Sequence, residues 1–117
     1  MDRVEIIERL KTNLHGRDFL LTWEKSEDEL RMILGVADIL KEMRNRNIST
    51  RVFDSGLAIS NFRDKSTRTR FSFASASNML GLAVQDLDEE KSQISHGETV
   101  RETANMISFL SDFIGIR

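Results

Sequence analysis

Residues 57–73 read LAISNFRDKSTRTRFSF, and two patterns meet inside them. Leu57 to Phe62 is a short, nearly continuous apolar run, the mark of a strand covered on both faces. Downstream of Ser66 a helical pattern begins. Between the two, Arg63, Lys65, Arg68 and Arg70 crowd around Ser66, Thr67 and Thr69. A helix N-terminus carries roughly half a positive charge, so each cation placed there is disfavoured by roughly 0.3–1 kcal/mol. A strand that turns into a helix through a cluster of cations implies an anion to complete it.

Working outward, the strand is centred on about 56–62 and the helix runs from about 66 to 80, stopping at Gly81. Small residues in its middle, Ala74 to Ser77, suit close packing on a sheet. LAVQDL (82–87) reads as a second strand and DEEKSQISHGE (88–98) as a polar loop. Ser95 and Glu98 have capping-box spacing. They open a helix with Val100, Ala104, Ile107 and Leu110 inward, and DFIGIR (112–117) is a third strand. Upstream, residues 1–50 supply leading helices. Val4, Ile6, Ile7 and Leu10 mark one near the start, and Ser26 with Glu29 caps a second over about 26–45. The second helix carries Leu30, Ile33, Leu34, Ala37, Leu40 and Met43 at helical spacing.

The order over 51–117 is therefore β-α-β-α-β. It predicts an α/β fold: a parallel sheet with right-handed crossovers and helices on both faces, preceded by two helices. Ligands in such sheets bind outside the carboxyl ends of the strands. The STRTR turn, the SQISHGE loop and Arg117 all fall at those ends.

Composition narrows the classes. The chain has 117 residues, 39% apolar and 31% charged, a globular balance with a net charge of −2. No global basic field points to nucleic acid, and no aromatic residues interleave with a basic face. Cysteine is absent and the two histidines stand apart, so thiolate and zinc sites are not expected. No apolar stretch has the length of a membrane helix, so the expectation is a soluble, cytoplasmic protein. The chain stops inside the apolar run FIGIR, which suggests the first part of a longer protein.

At the turn, free backbone N–H groups and the helix dipole favour an anion. The hydroxyls of Ser66, Thr67 and Thr69 add donors, and Arg68 adds a planar fork suited to phosphate. Arg68 and Arg70 are two residues apart and cannot share a helix face, so Arg70 is expected to pair with a carboxylate elsewhere. Read from the residues alone, the stretch is equally an ordinary capped helix start with solvated arginines. No GxxxxGK[ST] or GxGxxG loop is present.

FRDKSTRTRFSF resembles the carbamoyl phosphate motif of the aspartate and ornithine carbamoyltransferase family: Ser-Thr-Arg-Thr-Arg, one residue, then Ser-Phe. SQISHGETVRETANMISFLSDFIGIR is similar to the ornithine-type continuation, and the match is ungapped over roughly 52–117. The nearest branch is a group of carbamoyltransferase-like proteins of open substrate. Residues 1–50 fit the family's leading helices only loosely.

The resemblance implies that 51–117 is the carbamoyl phosphate-binding portion of a transferase of amino-acid metabolism. Ser66, Thr67, Arg68 and Thr69 would bind the phosphate, Thr69 would also hold the carbamoyl oxygen, and Arg117 would contact both. Arg68, Thr69 and Arg117 would be catalytic. Gln93 would reach into a neighbouring subunit's site, and the resemblance makes that assembly a homotrimer. His96, a further candidate, stands where aspartate-type members carry Lys, which argues against aspartate as second substrate. An amine would attack the carbamoyl carbon and phosphate would leave, with neither metal nor cofactor required. The second-substrate domain would lie beyond residue 117. The alternative is a non-catalytic relative that binds a phosphorylated metabolite or a partner protein.

Other residues have plainer readings. His15 is a loop residue, Trp23 a core or interface anchor, DLDEEK (86–91) a solvated loop, and Arg44, Arg46 and Arg51 a basic surface turn.

Overall fold

The computed structural model describes residues 14–63, 66–87 and 99–117. The chain divides into two compact units, Met1–Ser49 and Thr50–Arg117.

In the first unit a 3-10 turn, Thr22–Glu24, leads to helix α1, Glu27–Asn45. Ser26 is the cap. Its hydroxyl accepts from the Glu29 N–H at 3.1 Å, and the Glu29 carboxylate accepts from the Ser26 N–H at 3.0 Å. This is the reciprocal box that the spacing predicted. Glu27, Asp28 and Glu29 fill the first turn and Arg44 lies in the last, so the charges of α1 follow its dipole. The covered face keeps most of the expected stripe but not all of it. Met32 is the buried residue, while Leu34 and Ala37 are exposed. Leu30, Ile33, Leu40 and Met43 of the expected stripe are half-buried, as are Val36 and Ile39 on either side of it, so the covered face is broader than the stripe and centred on Met32. Trp23 is 78% exposed rather than an anchor in a core, because the 3-10 turn that carries it buries no residue. The earlier of the two expected leading helices lies outside the described residues.

The second unit holds β1 (Leu57–Asn61), α2 (Thr67–Leu80), β2 (Ala83–Asp86), α3 (Val100–Leu110) and β3 (Phe113–Ile116). The sheet order is β2-β1-β3, with both pairings parallel. Ala58, Ile59 and Ser60 of the central strand are buried, as a two-sided apolar run requires. The chain moves from β1 to β2 and then back across β1 to β3. Right-handed crossovers with that reversal put α2 and α3 on opposite faces.

On the α2 face, Phe73 meets Phe62 edge-on at 5.4 Å and stacks on Phe113 at 5.8 Å. Gly115 of β3 makes room for this ring, since a Cβ there would lie 2.6 Å from Phe73 Cε2. On α3, Thr103 and Ile107 are buried, but Val100, Ala104 and Leu110 are exposed, contrary to expectation. Thr103 and Ile107, one turn apart, mark the covered line of α3. The cap of α3 is also one turn later than Ser95–Glu98, which lie outside the described residues. Thr99 accepts from the Glu102 N–H at 3.1 Å, and Glu102 accepts from the Thr99 N–H at 3.4 Å. The same S/T-x-x-E pattern occurs twice in succession, so spacing alone did not choose between them.

Helix α2 ends where Gly81 takes a left-handed φ of 103°. Its N–H donates to Asn78 O at 3.0 Å and the Leu82 N–H to Ser77 O at 3.0 Å, which closes the last turn. The Phe53 carbonyl occupies the space that a Cβ would need. Gly81→Ala should therefore lower stability by more than the roughly 1–3 kcal/mol of a left-handed non-glycine residue. Urea denaturation measures this, and a loss under about 0.5 kcal/mol, the scatter of ordinary surface changes, would contradict the packing described.

Glu29 gives a pH prediction. The Ser26 backbone N–H holds its carboxyl below the usual carboxylate range, partial burial opposes this, and the Ser26 hydroxyl, Arg17 and Lys25 lower it further. Folding depresses this pKa, so the carboxylate's contribution is complete above the usual carboxylate range. It is lost as pH falls through the depressed value. Glutamine can still accept the capping bond. Stability should thus decline less steeply on acidification in Glu29→Gln than in the wild type. Parallel declines would remove Glu29 from the acid response.

Candidate functional site

Parallel pairing brings the carboxyl ends of all three strands to one edge. In the order β2-β1-β3, the helix leaving β1 departs toward β2 while the chain returns on the far side to β3. Such a reversal opens a crevice between β1 and β3, the usual ligand position in open α/β sheets.

Helix α2 starts at that crevice. Ser66 caps it: its hydroxyl accepts from the Thr69 N–H at 3.4 Å and from the Thr69 hydroxyl at 3.3 Å, and its carbonyl accepts from the Arg70 N–H at 3.2 Å. Capping by Ser66 leaves the N–H groups of the first turn, at Thr67 and Arg68, among those that a helix cannot satisfy internally. No acidic residue stands in this turn, whereas α1 has three in its own. The two helices treat the dipole rule in opposite senses, and the first turn of α2 has no acidic side chain to offset its N-terminal charge.

Arg117 closes the site from the other strand. Its N–H donates to Asn61 O at 3.1 Å and its carbonyl accepts from the Arg63 N–H at 3.2 Å, so its backbone prolongs the β1–β3 ladder. Its Nη1 then donates to Thr69 Oγ1 at 2.8 Å, across 48 residues of sequence. The fold thereby gathers Ser66, Thr67, Arg68, Thr69 and Arg117. Gln93 and His96 lie outside the described residues.

The two arginines of the motif separate as expected. Arg70 Nη1 pairs with Asp86 Oδ2 at 2.9 Å, and its Nη2 donates to Phe62 O at 3.3 Å. Arg68 is exposed and has no ion-pair partner among the described residues. The sequence reading did not find the residues that hold Arg70. Asp86 is the last residue of β2 and not part of a solvated loop. Its second oxygen, Oδ1, accepts from the buried Ser60 hydroxyl at 2.7 Å. The sequence carried no local signal for this: Ser60 and Asp86 meet because they are register partners in the parallel ladder, at the strand ends that Arg70 faces. Among the described residues no group of three His, Cys, Asp or Glu could hold a metal ion, and no helix is long and apolar enough to cross a membrane.

An open parallel α/β sheet with a hydroxyl-rich helix start and two arginines at its switch point defines an anion-binding α/β domain. The chain belongs to the aspartate/ornithine carbamoyltransferase carbamoyl-P binding domain family, whose model matches residues 17–117. It is 68% identical to the protein YgeW of Escherichia coli (strain K12), over 97% of this chain and 29% of that protein. YgeW represents the carbamoyltransferase-like branch that the motifs resembled. Identity to the catabolic ornithine carbamoyltransferase of Treponema denticola is 34%, over 97% of this chain and 33% of that one. The catalytic subunit of M. jannaschii aspartate transcarbamoylase superposes with a TM-score of 0.74 at 28% identity, over 85% of this chain and 33% of that one. The chain thus spans about a third of the length of these relatives.

Proposed function

We propose that the turn Ser66–Thr69 with Arg117 binds carbamoyl phosphate, as the first half of a carbamoyl transfer to an amino group. The observation that carries this reading is the Arg117–Thr69 contact. It brings a guanidinium from the end of β3 onto the first turn of α2, beside the exposed Arg68. In the transfer, the acceptor nitrogen attacks the carbamoyl carbon, the bond from that carbon to the bridging anhydride oxygen breaks, and the proton that the amine loses ends on the departing phosphate. Negative charge grows on the carbonyl oxygen and the departing phosphate. In this reading the α2 N-terminus, Arg68 and Thr69 bind the phosphate, Thr69 also holds the carbonyl oxygen, and Arg117 contacts both. Preorganised donors of this kind supply the largest share of rate enhancement in many enzymes. The relatives named for ornithine and aspartate make an amino acid or related amine the acceptor class. The non-catalytic alternative has no observation of its own in its favour.

Calorimetry with carbamoyl phosphate on the full-length protein tests the assignment. Arg68→Ala should weaken binding by roughly 1.5–3 kcal/mol, the range for a hydrogen bond to a charged group. Affinity equal to the wild type would sink it.

The same reading includes a cytoplasmic homotrimer in which Gln93, with His96 as a further candidate, completes a neighbour's site. A head-to-tail ring closes under threefold symmetry and offers the same loop to each neighbour. Mixing full-length Arg68→Ala chains with Gln93→Ala chains should restore part of the binding that each lacks alone, because some interfaces then carry both wild-type groups. Mixed oligomers without recovery would exclude a shared site.

A further inference from the structure

Resting on the anion reading of the site, we propose that Asp86, held by Ser60, is a positioning residue for the cradle. It acts through Arg70 to fix the first turn of α2 against the ends of β1 and β2, and so keeps Thr69 within reach of Arg117.

The contacts form one path from the sheet's centre to the site. Ser60 is 3% exposed in the central strand and donates to Asp86 Oδ1 at 2.7 Å. Asp86 Oδ2 takes Arg70 Nη1 at 2.9 Å, while Arg70 Nη2 holds the Phe62 carbonyl at 3.3 Å. One guanidinium therefore ties the helix start to the ends of two strands. The adjacent residue, Thr69, is the one that accepts from Arg117.

Stability is not the main consequence of this pair. The Arg70 and Asp86 side chains are 37% and 36% exposed, and exposed ion pairs contribute little to stability. Its consequence is directional. A guanidinium fork fixes orientation as well as distance, and a displacement of about 1 Å in a positioned group can cost a site about a hundredfold. Asp86 is also an anion near a site for an anion. By Coulomb's law alone, its removal would tighten phosphate binding. Positioning predicts the opposite sign, so the two effects are separable.

The test uses the full-length protein with inorganic phosphate and carbamoyl phosphate. Asp86→Asn keeps the size and removes the charge, and binding of both should weaken roughly tenfold, the equivalent of losing one charged hydrogen bond. Ser60→Ala leaves both charges in place and should weaken binding by a smaller factor. Asp86→Glu restores a carboxylate and should recover part of the loss. Without ligand, amide hydrogen exchange at Thr69 and Arg70 should accelerate in Asp86→Asn and return toward wild type in Asp86→Glu, with α1 unchanged. Binding as tight as or tighter than wild type in Asp86→Asn, or unaltered exchange at Thr69 and Arg70, overturns the proposal. If Asp86→Asn lacks a cooperative thermal transition, Ser60→Ala decides by the same two readouts. A wild-type protein that binds neither anion overturns the anion reading, and exchange alone then decides whether Asp86 positions the turn.

Discussion

Both neighbours of β1 run parallel to it, and the rest of the second unit depends on that constraint. Parallel strands cannot be joined by tight turns, so each connection must climb back over a face of the sheet, and helices do this. Every strand then ends at the same edge. Because the chain goes first to one side of β1 and then to the other, the turn after β1 and the residue after β3 meet in the gap between them. Ser66–Thr69 and Arg117, far apart in sequence, become neighbours for this reason alone.

Electrostatics divides labour at that edge. Three arginines stand near the start of α2, where the dipole disfavours them. One, Arg70, is neutralised within the fold by Asp86 and bound to the Phe62 carbonyl. Another, Arg117, is tied through its backbone to β1 and through its side chain to Thr69. Arg68 stays exposed toward solvent. The acidic first turn of α1 offsets its dipole from within the chain, and the first turn of α2 does not. The difference between the two starts is the electrical signature of the site.

Much of this was legible in the residues. The capping box of α1, the helix stop at Gly81, the three strands within about a residue at each end, and the splitting of Arg68 from Arg70 follow from local rules. Those rules act over one or two turns and need no partner from elsewhere. Where two local solutions coexist, sequence was silent. α1 has apolar residues on both sides of Met32 and α3 has two successive S/T-x-x-E patterns, so spacing fixed neither the exposure of Leu34 nor the cap at Thr99.

The sequence by itself determined that a strand runs into a helix through cations and hydroxyls and that strands and helices alternate. These are properties of side-chain type and spacing. Only the tertiary structure decided which carboxylate holds Arg70 and which hydroxyl meets Arg117. Asp86 is identified by the register that sets it beside Ser60, and Thr69 by the sheet order that sets β3 beside β1. Register and strand order arise from how chain segments pair across long sequence separations, and no local pattern encodes that pairing.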